Sequence, residues 1–225
     1  MGYTIVYTQV LDFFPYLVRG ALISLQIAIL AFFGGMFFGL IFATIRTFGN
    51  RLMNNLVICY VTFFTNTPQL VQIYFLFFAL PEVGILLSPF MAVLIGMTLN
   101  AAAYLCEIQR AGFLSIRQNE LDAAKTLNFT LIQQVKYVIL PHIMKVLFPP
   151  LSNHYIIMTL GTSMAAIFGV EELTGRAFNI NSETFRSIEV FSLTALIYIV
   201  ITFIATFLLA LIGRYFFKAK MRIIQ

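Results

Sequence analysis

Residues 190–213 read VFSLTALIYIVITFIATFLLALIG, a run of 24 residues without a charged side chain. A helix needs about 20 apolar residues to cross about 30 Å of hydrocarbon, so this run is long enough to span a membrane. Four more charge-free runs of 24 to 30 residues precede it, and none alternates as the strands of a membrane β-barrel do. The sequence therefore predicts an all-α integral membrane protein with five transmembrane helices, at about residues 20–45, 52–80, 84–107, 147–170 and 190–213.

The overall composition supports the same fold class. Of 225 residues, 60% are apolar and only 10% are charged, and the mean hydropathy is +0.93. A soluble domain carries about a quarter charged residues, so this composition argues against an aqueous globular enzyme. No nucleophile, acid and histidine stand at the spacing of a known hydrolase, and no HExxH metal motif occurs. We therefore expect no catalytic residue and no metal ligand.

The positive charges predict the orientation in the membrane. Eleven of the 14 Lys and Arg residues fall in segments 46–51, 107–145 and 214–225. Because basic residues accumulate in short cytoplasmic loops, the N-terminus is expected outside and the C-terminus inside. This distribution explains the net charge of +5 without a nucleic-acid partner. It leaves residues 1–19 as an outer, interfacial segment and residues 216–225 as a cytoplasmic tail.

One cytoplasmic segment, the loop 110–145, is far longer than a link between neighbouring spans requires, and long ordered loops often carry function. Its pattern predicts a helix at 117–127 and a second at 129–140, where apolar residues recur at helical spacing. Asn128 separates the two, because asparagine suits the left-handed position that ends a helix. Pro141 is expected to stop or kink the second helix.

The same loop carries the strongest motif. It reads DAAKTLN at 122–128 and ends in ILP at 139–141. This resembles the "E-A-A, two residues, L-G … I-x-L-P" coupling loop of type I ABC importer permeases, with Asp122 for glutamate and Asn128 for glycine. In that family the loop forms a short coupling helix that sits in a groove of a separate ATPase. The alternative is an ordinary solvated helix pair. The resemblance implies that ATPase coupling involves Asp122, Ala123, Ala124, Leu127 and Asn128.

Three further stretches extend the resemblance from about residue 20 to 215, which would make this region one ABC transmembrane type-1 domain. Each is similar to a pattern of permeases for polar amino acids. Segment 60–72 is similar to "Y…F-R-G-T-P-L-L-V-Q" and segment 103–112 to "A-Y-x-x-E-x-x-R-G/A-G". Segment 153–173 is similar to "N-x-x-I … K-D-T-S-L … V-x-E-L". That group includes the histidine, glutamine, arginine and cystine permeases. No single stretch would be specific, but together they indicate this family.

Polar side chains inside the second and fourth apolar runs are candidates for a substrate path. Pro68 frees a backbone carbonyl within the membrane, and that carbonyl must face protein or a watery cavity. The resemblance implies that these two spans line the path; interhelical hydrogen bonding is the alternative. For His154 alone, a packing role is the stronger alternative. The candidates are Thr65, Asn66, Thr67, Gln69, Asn153, His154, Thr162 and Ser163.

Two positions in this path depart from the family pattern. Thr65-Asn66 stands where relatives have Arg-Gly, and Leu160-Gly161 stands where they have Lys-Asp. An intramembrane charge is expensive and usually functional, so its loss has consequences. Either the substrate differs, or this subunit is half of a heterodimer whose sister keeps the charges. Of these two explanations the heterodimer is favoured, so the second permease is expected to be a different chain.

Two smaller patterns predict packing. Glu107 and Arg110 stand three residues apart, which places them on one helical face as a structural pair that fixes the loop. Gly35 and Gly39 form a patch of small residues that permits close helix packing.

The resemblance implies a non-enzymatic membrane permease subunit of an ATP-driven importer for a polar amino acid or close analogue, in the bacterial inner membrane. The chain has no GxxxxGK[ST] motif, so we expect no cofactor in it, with ATP and Mg²⁺ bound by the partner. The implied partners are two cytoplasmic ABC ATPases, a second permease, a periplasmic or lipid-anchored solute-binding protein, the amino acid and membrane lipid. The alternative functions are an ion-coupled secondary transporter, a channel subunit, and a membrane assembly subunit without transport.

Overall fold

The computed structural model describes residues 4–217, which form helices joined by short loops and contain no β-strand. Short π and 3-10 turns extend several helices: Phe75–Ala79 and Leu80–Val83 follow α4, Val135–Ile139 joins α7 to α8, and Thr162–Phe168 follows α8. The helices in chain order are α1 (Thr8–Leu11), α2 (Phe14–Phe48), α3 (Arg51–Thr65), α4 (Gln69–Tyr74), α5 (Pro89–Leu114), α6 (Gln118–Thr126), α7 (Leu131–Gln134), α8 (Leu140–Gly161), α9 (Leu173–Thr184) and α10 (Ser187–Phe216).

Length and composition make three single helices, α2, α5 and α10, candidates to cross a membrane. Two interrupted pairs, Arg51–Thr65 with Gln69–Val83 and Leu131–Phe168 with Leu173–Thr184, raise the number to five if each pair is one span. The all-α fold class is confirmed. The second expected span is broken at residues 66–68, because Pro68 cannot continue the helix. Most of the expected tail 216–225 lies outside the described residues.

The chain divides into two compact units. Among the described residues, the first consists of 4–33, Thr67–Leu99 and Tyr155–Ala205. Its core joins α1, the start of α2, α9 and α10, so the N-terminal segment is packed into the protein rather than lying loose. The buried residues of this core are Val10, Leu17, Ala21, Leu173, Ala177, Ile180, Val190 and Ile197.

Among the described residues, the second unit consists of Gly34–Asn66, Asn100–His154 and 206–217. Its core holds Ala43, Val57, Val61, Ala103 and Cys106. The predicted packing role of the glycine patch is confirmed here. A Cβ on Gly35 would lie 2.5 Å from the Cβ of Ala101, and one on Gly39 would lie 3.0 Å from the backbone nitrogen of Cys106. Only glycine permits this approach of α2 to α5.

The expectation for Pro141 is corrected in one respect: the helix does not stop there. Pro141 is the second residue of α8, and the π turn Val135–Ile139 precedes it directly. Proline removes one backbone hydrogen bond and its ring crowds the turn before it. A wider π turn relieves that crowding and lets the helical path continue.

Candidate functional site

The first candidate site is the break that follows α3. The residues of this site up to Asn66 belong to the second unit. Pro68 has no N–H, so it cannot bond the carbonyl of Phe64 four residues before it. The Asn100 side chain of α5 instead donates to the Phe64 carbonyl at 3.2 Å, and the Tyr104 hydroxyl donates to the Thr65 carbonyl at 3.4 Å. The freed carbonyls therefore face protein groups, as intramembrane backbone must.

Two of the predicted path residues end α3. Asn66 is exposed, and its amide donates to the Thr62 carbonyl at 2.8 Å. The Thr65 hydroxyl donates to the Val61 carbonyl at 2.7 Å. The donors of both side chains are thus used within α3, while the Thr65 hydroxyl oxygen can still accept further hydrogen bonds.

His154 lies beside the same break. Its ring centroid is 5.7 Å from that of Tyr104, which itself bonds Thr65. The Nε2 atom is buried and has no hydrogen-bond partner among the residues that the structure describes. The neighbouring Asn153 is exposed. The second unit thus brings both Thr65 and His154 next to Tyr104. The sequence reasoning did not assign Tyr104 or Asn100 to the site, although both are polar residues within a charge-free run.

The remaining path candidates belong to the first unit. Gln72 donates its amide to the carbonyl and the hydroxyl of Thr67 at 3.1 and 2.7 Å, which stabilises the start of α4. A Cβ on Gly161 would lie 3.8 Å from the Oε1 atom of Gln69, so the glycine leaves space beside this amide. The Thr162 hydroxyl is fully buried and donates to the Thr159 carbonyl at 2.7 Å.

Ser163 is half-buried and donates to the Leu160 carbonyl at 2.9 Å. The first unit thus brings Gln69 close to the end of α8. The burial of Thr162 leaves it no contact surface for a ligand in this conformation.

A cluster of three charges lies at the predicted inner end of α2 and α5, in the second unit. Glu107 pairs with Arg110 on its own helix at 3.5 Å, as the spacing predicts. Arg46 of α2 forms a second ion pair with Glu107, and its side chain is only 14% exposed. The sequence reasoning did not pair Arg46. Glu107 therefore ties α2 to α5 just before the long loop.

The long loop 110–145 is also part of the second unit, and it folds around α6. This helix ends in a Schellman motif: the Phe129 N–H bonds the Ala124 carbonyl at 3.0 Å, and the Asn128 N–H bonds the Lys125 carbonyl at 2.8 Å. Asn128 has φ +55°, so its predicted left-handed conformation is confirmed. Thr130 and Gln133 then form a capping box that begins α7. The turn between the two helices is therefore fixed at both ends.

The exposed face of α6 carries most of the predicted coupling residues. Asp122, Ala123 and Asn128 are exposed, and Leu127 is 68% exposed. Ala124 is only 2% exposed, so its methyl group packs within the loop and does not reach a partner surface.

The described residues contain no group of three or more His, Cys, Asp or Glu side chains that could hold a metal ion. The sites above are uncharged polar groups at breaks in apolar helices, a buried ion-pair cluster and an exposed helix in the long loop, an arrangement that fits a membrane transport subunit.

Comparison with known proteins gives the family. Residues 35–218 match the family described as binding-protein-dependent transport system inner membrane component, and the chain belongs to this family. It is a membrane permease subunit of the ABC importer class, and ATP hydrolysis is carried out by a partner ATPase.

Several relatives are similar over most of their length. The chain is 34% identical over 202 residues to the glutamine transport system permease protein GlnP of Escherichia coli (strain K12), which covers 89% of this chain and 92% of the relative. It is 34% identical over 204 residues to the L-cystine transport system permease protein TcyB of Bacillus subtilis (strain 168), covering 90% and 87%.

Solved structures agree. A crystal structure of an amino acid ABC transporter with histidines matches with a TM-score of 0.87 and 28% identity, covering 94% of this chain and 99% of that one. An inward-facing structure of the MetNI methionine ABC transporter, 19% identical with a TM-score of 0.70 and covering 88% and 94%, shows the same fold. The function is therefore that of an amino-acid ABC importer permease.

Proposed function

We propose that this permease imports a polar amino acid or close analogue and is coupled to its ATPase through the exposed face of α6. The observation that carries the proposal is the arrangement of this helix. The Schellman turn and the capping box fix it, while Leu127 and Ala123 remain exposed. A rigid helix with a small residue beside an apolar one suits a groove on another protein. The buried methyl group of Ala124 packs beneath that exposed face.

The test uses the complete complex in proteoliposomes, with its ATPase and solute-binding protein. Ala123→Asp places a charge on the exposed face without filling the interior, and we expect at least a tenfold loss of uptake. Asn179→Asp, an exposed change on α9, is the matched control and should leave uptake near the wild-type rate. Normal uptake by an assembled Ala123→Asp complex would contradict the coupling proposal.

We propose that the N-terminus lies outside and the C-terminus inside the cell. The support is the concentration of 11 of 14 basic residues in the segments assigned to the cytoplasm. Exposed cysteines introduced at Glu183 and at Lys125 provide the test. In intact cells an impermeant maleimide should label Glu183→Cys and not Lys125→Cys, and the reverse pattern would contradict the orientation.

We propose that Asn66, at the end of α3, contributes an uncharged polar group to the substrate path. The relatives named for glutamine and cystine transport support an amino-acid substrate of this type. Asn66→Leu should reduce uptake by about tenfold while the complex still assembles. Thr44→Val, which removes another helix-bonded polar group, should not. Equal uptake by the two variants would contradict a role in the path and would favour a packing role for Asn66.

We propose that the second permease is a different chain, because Thr65-Asn66 and Leu160-Gly161 lack the charges that the resemblance leads us to expect. The test is to purify a tagged copy of this chain together with the ATPase. Recovery of two different permease chains in equal amounts supports the heterodimer. Recovery of this chain alone with the ATPase would contradict it and would favour a different substrate.

A further inference from the structure

The contact between α2 and α5 in the second unit contains a row of small residues. Gly35 lies against Ala101, and Gly39 lies against the backbone of Cys106. Ala43 is fully buried in the same core. Small residues let two helix backbones approach closely, but they have no long side chains that interdigitate and oppose sliding. The axial register of the two helices therefore depends on additional, polar contacts.

Two polar contacts provide that register. The side-chain amide of Gln109 is buried and donates to the Met36 carbonyl at 3.1 Å. Arg46 forms the second contact, which is its ion pair with Glu107. Each contact joins one particular residue of α2 to one particular residue of α5. A shift of one helix along the other would break both contacts, so together they oppose sliding.

The three charges of the cluster are not equally dependent on one another. The side chain of Arg46 is 14% exposed, compared with 33% for Arg110 and 41% for Glu107. A guanidinium this buried is costly unless it is paired, so Arg46 needs Glu107. Glu107 has a second partner, Arg110, at 3.5 Å on its own helix. Removing Arg46 therefore leaves no unpaired charge, whereas removing Glu107 leaves Arg46 without its carboxylate.

The end of α5 beyond this cluster leads directly into α6. Glu107 is seven residues, or about two helical turns, before α5 ends at Leu114, and only residues 115–117 separate that end from α6. A hydrogen bond from the Ser115 N–H to the Gly112 carbonyl at 3.2 Å closes the turn at this link. A displacement of α6 is therefore passed to α5 through a short, hydrogen-bonded segment.

We propose that Arg46 and Glu107 are positioning residues for ATPase coupling, because their ion pair makes α2 move together with α5 when α6 is displaced. The proposal rests on the coupling function of α6 given above. Without the ion pair the small-residue contact remains and the protein still folds, but α5 can move without carrying α2 with it. ATP is then hydrolysed without the full movement of the membrane helices. The consequence is uncoupling rather than unfolding.

The first experiment measures the number of substrate molecules imported per ATP hydrolysed by the complete complex in proteoliposomes. Arg46→Met should lower this ratio by about three- to tenfold, between the effects of an exposed ion pair and of a hydrogen bond to a charged group. The unfolding midpoint in nanodiscs should stay near that of wild type, because an apolar side chain can replace a buried ion pair with little loss of stability.

Two further arginine variants complete this experiment. Arg46→Lys keeps a positive charge and should lose less coupling than Arg46→Met. Arg51→Met, which changes an exposed arginine at the start of α3, is the matched control and should keep the wild-type ratio. An unchanged ratio in Arg46→Met, or an equal loss in Arg51→Met, would overturn the proposal. So would a lower unfolding midpoint of Arg46→Met with an unchanged ratio, because that is the result of a purely structural role.

A double-mutant comparison tests whether the two residues act through each other. Glu107→Gln leaves Arg46 buried without its carboxylate, so the ratio and the unfolding midpoint should both fall. The double variant Arg46→Met/Glu107→Gln also removes the buried cation. It should therefore be more stable than Glu107→Gln, and its ratio should be no lower than that of Glu107→Gln. Losses of coupling that multiply would show that the residues act separately, and would overturn the proposal.

A reversible cross-link distinguishes joint movement of the two helices from sliding. Cys59 and Cys106 are replaced by alanine, and the variant Arg46→Cys/Glu107→Cys is joined by a short bis-methanethiosulfonate that a thiol reductant removes. If α2 and α5 move together, the cross-linked complex should import substrate at a higher ratio per ATP than the reduced complex. If the helices must slide past each other during transport, cross-linking stops uptake and overturns the proposal.

Ala123→Asp, measured in the same preparation, separates this proposal from the one on which it rests. If Ala123→Asp imports substrate normally, the coupling function of α6 itself fails. If Ala123→Asp is uncoupled and Arg46→Met is not, only the positioning role of the ion pair is overturned.

Discussion

Replacing Glu172 with alanine is expected to destabilise the first unit by about 2–4 kcal/mol, whereas glutamine at this position should cost less than about 1 kcal/mol. Glu172 is fully buried and begins α9. One carboxylate oxygen accepts the Gly175 N–H at 2.9 Å. The other accepts the hydroxyls of Ser24 at 2.8 Å and Tyr198 at 2.9 Å. A single side chain thus caps one helix and joins α2 and α10 to it.

Alanine removes all three hydrogen bonds. The loss of a helix cap costs about 1 kcal/mol, and the cavity left by the shortened side chain adds about 1–2 kcal/mol. The two hydroxyls are not left entirely without partners. Ser24 also lies 3.3 Å from the Gly20 carbonyl, and Tyr198 lies 2.9 Å from the Thr174 hydroxyl. These second partners keep the expected total below the largest values for breaking a buried polar network.

Glutamine has the same shape and keeps one acceptor oxygen for Gly175. Its NH₂ group can donate to Ser24 and Tyr198, because hydroxyls can also accept and each has another group to bond. Glutamine therefore keeps the hydrogen bonds to Ser24 and Tyr198, with the side chain as donor instead of acceptor.

Thermal unfolding of the purified complex in nanodiscs measures the difference. At about 2–4 °C per kcal/mol for a chain of this size, alanine should lower the midpoint by about 5–15 °C and glutamine by no more than about 4 °C. The reasoning is refuted if glutamine is as damaging as alanine, or if alanine is neutral.

Two further predictions concern the second unit. Asn100→Leu removes the amide that donates to the Phe64 carbonyl at 3.2 Å, and it should destabilise the complex by about 1–3 kcal/mol in the same unfolding assay. An unchanged midpoint would show that the contact is not needed. Gly35→Ala brings a methyl group against Ala101 and should lower the unfolding midpoint. The double variant Gly35→Ala/Ala101→Gly restores space between the two helices and should recover part of this loss. Equal midpoints for the single and double variants would contradict this packing.

Much of the helical architecture was predictable from charge-free runs, because the thickness of hydrocarbon sets the length of a span. The turn at Asn128 was predictable for a similar local reason: few residues other than glycine accept a left-handed conformation. The close packing at Gly35 followed from residue size alone.

Contacts distant in sequence were not predictable in this way. Asn100 and Tyr104 meet the end of α3 across 36 and 39 residues, and no periodicity in one sequence specifies which polar group will reach a freed carbonyl. The burial of Ala124 beside the exposed Ala123 likewise depends on how the loop folds back on itself. The π turn before Pro141 is a further example, because a proline can be accommodated by several helical distortions.

The most direct test of the coupling account is a cross-link between α6 and the ATPase. The native cysteines, Cys59 and Cys106, are first replaced, and a single cysteine is introduced as Leu127→Cys. Treatment of the assembled complex with a short bifunctional maleimide should join this chain to an ATPase that carries one cysteine in its permease-facing groove. Glu183→Cys, on α9, should give no such product. Absence of the cross-link from Leu127→Cys in a complex that still imports substrate, or equal cross-linking from Glu183→Cys, would contradict the account.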